Sequence, residues 1–146
     1  MNLDQFRGPV LSLFRMVAGL MFLLHGAAAL FGVFGGIQGT GAAVEFGLWP
    51  GWWAALIQLA CGILVLLGLF TRPSATLASG SMAYAYFVVH QPQGLLPLLN
   101  GGELSAMYCW AFLLIAVLGP GTWAVDPLIR RLRDGSAPQP VPPRPG

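Results

Sequence analysis

Apolar residues run along this chain in four blocks rather than alternating with polar ones. The blocks cover residues 10–34, 52–70, 74–90 and 103–118. Each approaches the ~20 residues that a helix needs to cross a bilayer, and none keeps the period of two that marks a half-buried strand. Gly35-Gly36-Ile37-Gln38-Gly39-Thr40-Gly41 ends the first block, being too glycine-rich for a good helix. A short apolar piece, residues 42–49 with Glu45 inside it, is expected at an interface. Trp49, Trp52 and Trp53 bracket Pro50-Gly51, as in an aromatic belt at the end of a span. Thr71-Arg72-Pro73 is a tight connection, with Pro73 suited to the first turn of the next helix. Ala75, Ser79 and Ala83 recur at intervals of four in the third block, a pattern that lets helices approach closely in lipid. Residues 91–102 form a loop, and Gly119-Pro120-Gly121 stops the fourth block. The expected fold is all-α, an integral membrane four-helix bundle over residues 1–127.

Composition sharpens this picture. Of 146 residues, 56% are hydrophobic and 8% charged, against about 25% charged in an ordinary soluble domain. That excludes a soluble enzyme as the default. A net charge of +2 with no solvated basic face excludes a nucleic-acid binder. The basic residues are all arginines: Arg7, Arg15, Arg72, Arg130, Arg131, Arg133 and Arg144. With four spans all of them fall on one side, and the two opposite loops hold no Arg or Lys. The positive-inside rule then places both termini in the cytoplasm, in a multi-pass protein of the cytoplasmic membrane. Residues 10–34 are longer than a signal h-region and carry Arg15 and His25, so they are read as a permanent span. Residues 128–146 make a basic segment, amphipathic over 126–133, and a proline-rich tail expected to be extended and unpacked.

Ionisable groups inside spans are costly and mark candidate sites. His25 lies past the middle of the first span, toward the outside. Gln58 sits about 10 Å inside the outer boundary of the second, by the helical rise. His90 ends the third span and Glu103 opens the fourth, both at the outer face, with Asn100 between them. The expectation is a polar pocket in the outer half of the bundle. Arg15 is alone in the inner half, close enough to its interface to snorkel. The two histidines differ in depth by roughly 10 Å, which suits neither a shared haem iron nor a metal. Cys61 and Cys109 are likewise expected at different depths, as buried packers rather than a disulfide. No nucleophile–base pair, phosphate loop or complete metal set is present, so catalysis by this chain alone is not expected.

The first span, Arg15-x-x-x-Gly19-x-x-Phe22-x-x-His25-Gly26, resembles the opening of the DoxX family of bacterial four-span membrane proteins. Gly62-x-x-x-x-x-Gly68-Leu69-Phe70-Thr71-Arg72-Pro73 is similar to the family's second span and turn. Met82-Ala83-Tyr84-Ala85-Tyr86-Phe87, His90-x-Pro92-x-Gly94, Pro97, Asn100-Gly101-Gly102-Glu103 and Tyr108-Cys109 resemble its actinobacterial-type branch, as does the closing Gly119-Pro120-Gly121 with Asp126. The resemblance covers about residues 7–127. Many relatives carry Glu where this chain has Gln58, and Lys where it has Ala29. A proton relay or ion pair built on those groups is not expected here. The resemblance implies membrane redox work: small subunits of a thiosulfate:quinone oxidoreductase look like this chain, and a mycobacterial relative joins superoxide dismutase and a sulfurtransferase in a membrane-associated complex. The expected function is therefore an accessory subunit of a redox-linked membrane complex. Its outer pocket would take a quinone or a small sulfur compound, and soluble redox enzymes or a second copy of the chain would be partners. The alternatives are a scaffold that anchors soluble proteins through the Arg-rich end and, below that, a small-solute transporter.

Overall fold

The computed structural model describes residues 3–135. The proline-rich stretch 137–146 lies outside the described residues. Among them every regular element is helical. A 3-10 turn, Leu3–Phe6, leads into α1, Arg7–Phe31. Two 3-10 turns, Val33–Gly35 and Ile37–Gly39, begin a long connection to α2, Gly51–Leu67. Next, α3 (Thr71–Tyr84) continues as a π-helical stretch, Ala85–His90, and a 3-10 turn, Gln91–Gln93. Three helices follow: the short α4 (Pro97–Asn100), α5 (Glu103–Leu118) and α6 (Val125–Gly135).

The blocks of the sequence reappear with shifted ends. α1 stops at Phe31, three residues short of the expected 34, where Gly32 takes the left-handed conformation. α2 ends at Leu67 rather than 70 for the same reason: Gly68 has φ +70°, and its N–H caps the helix. The connection 91–102, expected as loop alone, holds α4 because Pro97 suits a helical first turn. The third block changes from α to π winding at Ala85, a widening that often accompanies functional positions.

α1 packs chiefly on α2 and α3 chiefly on α5, with α2 and α3 joined through the 68–71 turn. The first pair is close. A Cβ on Gly19 would lie 2.6 Å from the Leu66 nitrogen, and one on Gly62 would lie 2.5 Å from the Leu23 nitrogen. The second pair uses part of the small-residue stripe: Ala75 and Ser79 are buried, with Ala78 beside them, while Ala83 is only half-buried, and the Ser79 hydroxyl donates to the Cys109 carbonyl at 2.8 Å. Phe22 bridges the pairs, its ring 4.6 Å from that of Phe112 and 5.2 Å from that of Tyr108.

The interior is small and partly polar, while the exterior is large and apolar. Ser12, Arg15, Thr71, Ser74 and Ser79 are buried, whereas Leu13, Val17, Leu20, Leu77, Trp110 and Val117 are exposed. Leu3–Phe31, 29 residues, is long and apolar enough to cross a membrane. Gly51–Leu67 and Glu103–Leu118 are shorter apolar helices. Cys61 and Cys109 are both free thiols, one buried and one half-buried.

Candidate functional site

The candidate residues fall into three groups, two at one end of the bundle and one at the other. His25 sits at the surface of α1 with its ring edge-on to Tyr108 of α5, centroids 5.9 Å apart. Tyr108 is 93% buried by its 7% exposure, stacks on Phe112 at 5.8 Å, and its hydroxyl has no hydrogen-bond partner among the described residues. A buried hydroxyl without a partner costs about 1–3 kcal/mol, so a native structure seldom leaves one idle. The next residue, Gly26, lets α1 touch α2, because a Cβ there would strike the Leu59 nitrogen and come within 2.9 Å of the Gln58 carbonyl carbon. The Gln58 backbone thus lies against the neighbour of His25, with its side chain half-buried.

The second group holds the other outer residues. The His90 Nδ1 lies 3.1 Å from the Asn100 carbonyl oxygen. Asn100 is buried, and its side-chain amide ties the loop together: Nδ2 donates to the Gly94 carbonyl at 2.7 Å, and Oδ1 accepts from the Gly102 N–H at 2.8 Å. This knot fixes the exit of the π-helical stretch against the start of α5. Glu103 is exposed in the first turn of α5, where the helix dipole favours its charge.

The expected single cluster is therefore two local arrangements. Among the described residues, no hydrogen bond, ion pair or ring contact joins His25, Gln58 and Glu103 to one another or to His90. No group of three or more His, Cys, Asp or Glu residues able to hold a metal ion occurs among them.

Arg15 departs from its expected role. Its guanidinium is 1% exposed and turned inward, not snorkelled. Nε donates to the Pro120 carbonyl at 2.9 Å, Nη1 to the carbonyls of Val65 and, at 2.7 Å, Leu66, and Nη2 to that of Trp123. The physical reason lies in those carbonyls. The last turn of α2 runs out of intrahelical donors, the Val65 carbonyl keeping only the capping Gly68 N–H at 3.1 Å, and the chain around Pro120 is irregular, so a planar cation with several N–H groups serves both at once. Beside it, Asp126 caps α3 from another element: Oδ1 accepts from the Phe70 N–H at 2.8 Å and Oδ2 from the Thr71 N–H at 2.9 Å. Burial pushes the Asp126 carboxyl upward, but the Thr71 and Phe70 N–H groups and the charge of Arg130 outweigh it and hold it below the usual carboxylate value. Arg72 closes the same end by donating to the Ala116 and Val117 carbonyls, both at 3.0 Å.

Sequence reasoning missed Tyr108 as a site residue, because it stands in an apolar run and only its unpartnered hydroxyl marks it. It also missed the capping role of Asp126, whose partners lie 55 and 56 residues away. A further feature is an apolar groove of about 770 Å³ between α2 and α3, lined by Trp49, Trp53, Ile57, Leu77, Tyr84 and Val89 among others.

An all-α fold over the described residues, with a polar-centred interior and an apolar coat, belongs with membrane-associated proteins. Residues 10–91 match the DoxX family, and a relative from Haemophilus influenzae, described as an uncharacterized protein, is 37% identical over 128 residues, 86% of this chain and 94% of its own. The chain belongs to the DoxX family, which is membrane-associated. No solved structure matches it.

Proposed function

We propose that this protein crosses the bacterial cytoplasmic membrane four times, through α1, α2, α3 with its π-helical extension, and α5, with both termini inside. In this reading it serves a redox-linked membrane complex as an accessory subunit. Three observations support the spans: the apolar coat, the family's membrane association, and the absence of Arg and Lys from residues 32–50 and 91–102. The helices α2 and α5, 17 and 16 residues long, rise about 25 Å each and suit a slightly thinned hydrocarbon core.

The observation that carries the functional reading is the idle Tyr108 hydroxyl beside His25. A phenol held in apolar surroundings next to an imidazole offers a hydrogen bond to a carbonyl or other small acceptor. A quinone, or a small sulfur oxyanion, has that chemistry. His25, nearer the surface, would offer a second hydrogen bond at the ligand's edge. Gln58 keeps hydrogen-bonding capacity where many relatives have a carboxylate, so it would orient a ligand without taking its proton.

The test is ligand binding to the purified full-length protein in lipid nanodiscs, read from quenching of its tryptophan fluorescence by menadione and by displacement with thiosulfate. Saturable binding is expected, weakened about fivefold in Tyr108→Phe, the worth of one hydrogen bond, and more in His25→Ala. Absence of saturable binding by either compound, or equal binding by both variants, overturns the reading.

A further inference from the structure

The apolar positions of α6 are Val125, Leu128, Ile129 and Leu132, spaced i, i+3, i+4 and i+7, so they share one face. Arg130 and Arg131 lie off that face, and Arg133 flanks it by sequence position. Val125 is half-buried where the helix starts, but Leu128 is 57% exposed, Ile129 45% and Leu132 66%, so the bundle leaves most of this face uncovered. The helix is nevertheless held in place at its start. Asp126 caps α3, and the Asp126 N–H donates to the Gly68 carbonyl at 2.9 Å.

The same end of the molecule gathers further exposed cations. The Thr122 N–H reaches the Gly8 carbonyl, next to Arg7, and Arg72 spans from α3 to the end of α5. Arg7, whose guanidinium pairs with Asp4 at 2.7 Å, and Arg72, Arg130 and Arg131 are therefore neighbours in height around one rim, all exposed. Arg72 and Arg130 also line a hollow of about 280 Å³ beside the α2–α3 turn. Exposed Phe70, Leu118 and Trp123 stand at this rim as well. A helix with an apolar face, arginines beside it and low overall hydrophobicity is built to lie in a membrane interface. Its cations meet anionic headgroups while its leucines enter the acyl boundary.

We propose that α6 and this arginine rim dock onto the anionic phospholipids of the cytoplasmic leaflet, with α6 lying in the interface. Charge complementarity selects that occupant: a soluble protein surface would have to match both an arginine ring and a row of exposed leucines, whereas an anionic leaflet offers both layers at the required order of depth. The inference rests on the four-span reading proposed above.

The experiment is amide hydrogen exchange of the full-length protein in vesicles of phosphatidylcholine alone and of phosphatidylcholine with phosphatidylglycerol. Residues 125–135 should exchange about tenfold more slowly in the anionic vesicles. Arg130→Gln/Arg131→Gln should remove most of that difference, as should 0.5 M salt. The amides of α1, α2 and α5 should be protected in both lipids. If those spans are protected while α6 is indifferent to lipid charge, the inference is overturned and the four-span reading stands; the basic face is then left for a soluble partner. Failure of the spans to be protected overturns both.

Discussion

Arg15 and Tyr108 are opposite cases of a polar side chain inside an apolar fold. The guanidinium of Arg15 donates to four carbonyls on two segments, Val65 and Leu66 on one and Pro120 and Trp123 on the other. Lysine offers a point charge that cannot span both. Arg15→Lys should therefore lower stability by about 2 kcal/mol or more, and Arg15→Leu by more still, since each leaves buried acceptors unmade. Thermal unfolding in detergent checks this, and a loss below ~0.5 kcal/mol would contradict the clamp. Tyr108 predicts the reverse sign. Removing an unpartnered buried hydroxyl should leave the ligand-free protein as stable as before or raise its stability by about 1 kcal/mol. A clear loss in Tyr108→Phe would mean that the hydroxyl already has a partner.

Asp126 sets how the elements meet at the basic end, and its effect depends on pH. A carboxyl held below its ordinary value in the folded state contributes stability that is fully present above the unfolded value. That contribution is lost as pH falls through the folded one. Asp126→Asn should thus be destabilised by about 1 kcal/mol at pH 7, the typical worth of a cap, with the difference from the native protein fading below about pH 4. Arg15 and Arg130 are its charged neighbours. Helix contacts give a second expectation. Gly19→Ala places a methyl against the backbone at Leu66, where no side chain can yield, and should separate α1 from α2 at a cost of about 1–3 kcal/mol. Much of this level was legible beforehand. Apolar runs, Pro73 and the small residues of α3 located the helices and their close faces, because those signals are local. Exact ends were not legible, since the left-handed turns at Gly32 and Gly68 compete with an apolar run that continues past them. Nor was the Asp126 cap, a contact across more than 50 residues.

For the molecule as a whole, the arrangement of charge is the main organising fact. The exposed arginines of the described residues stand around the end where α1 begins and α2 and α5 finish, while His25, His90, Asn100 and Glu103 lie toward the other. Position along the helix axes was readable from residue number alone, and so was the separation of Arg15 from the rest. Rotation about each helix was not readable. A stripe of similar apolar residues on all sides gives no azimuth, and for that reason the single pocket expected from depth became a His25–Tyr108 pair and a separate loop knot. The proposed four-span topology underlies both the proposed site and the proposed lipid contact of α6. It is tested most directly by labelling intact bacterial cells with a membrane-impermeant maleimide, using cysteines introduced as Gln93→Cys and Asp134→Cys. Gln93→Cys should label in intact cells and Asp134→Cys only after permeabilisation, whereas labelling of Asp134→Cys from outside, or protection of Gln93→Cys, would contradict the account.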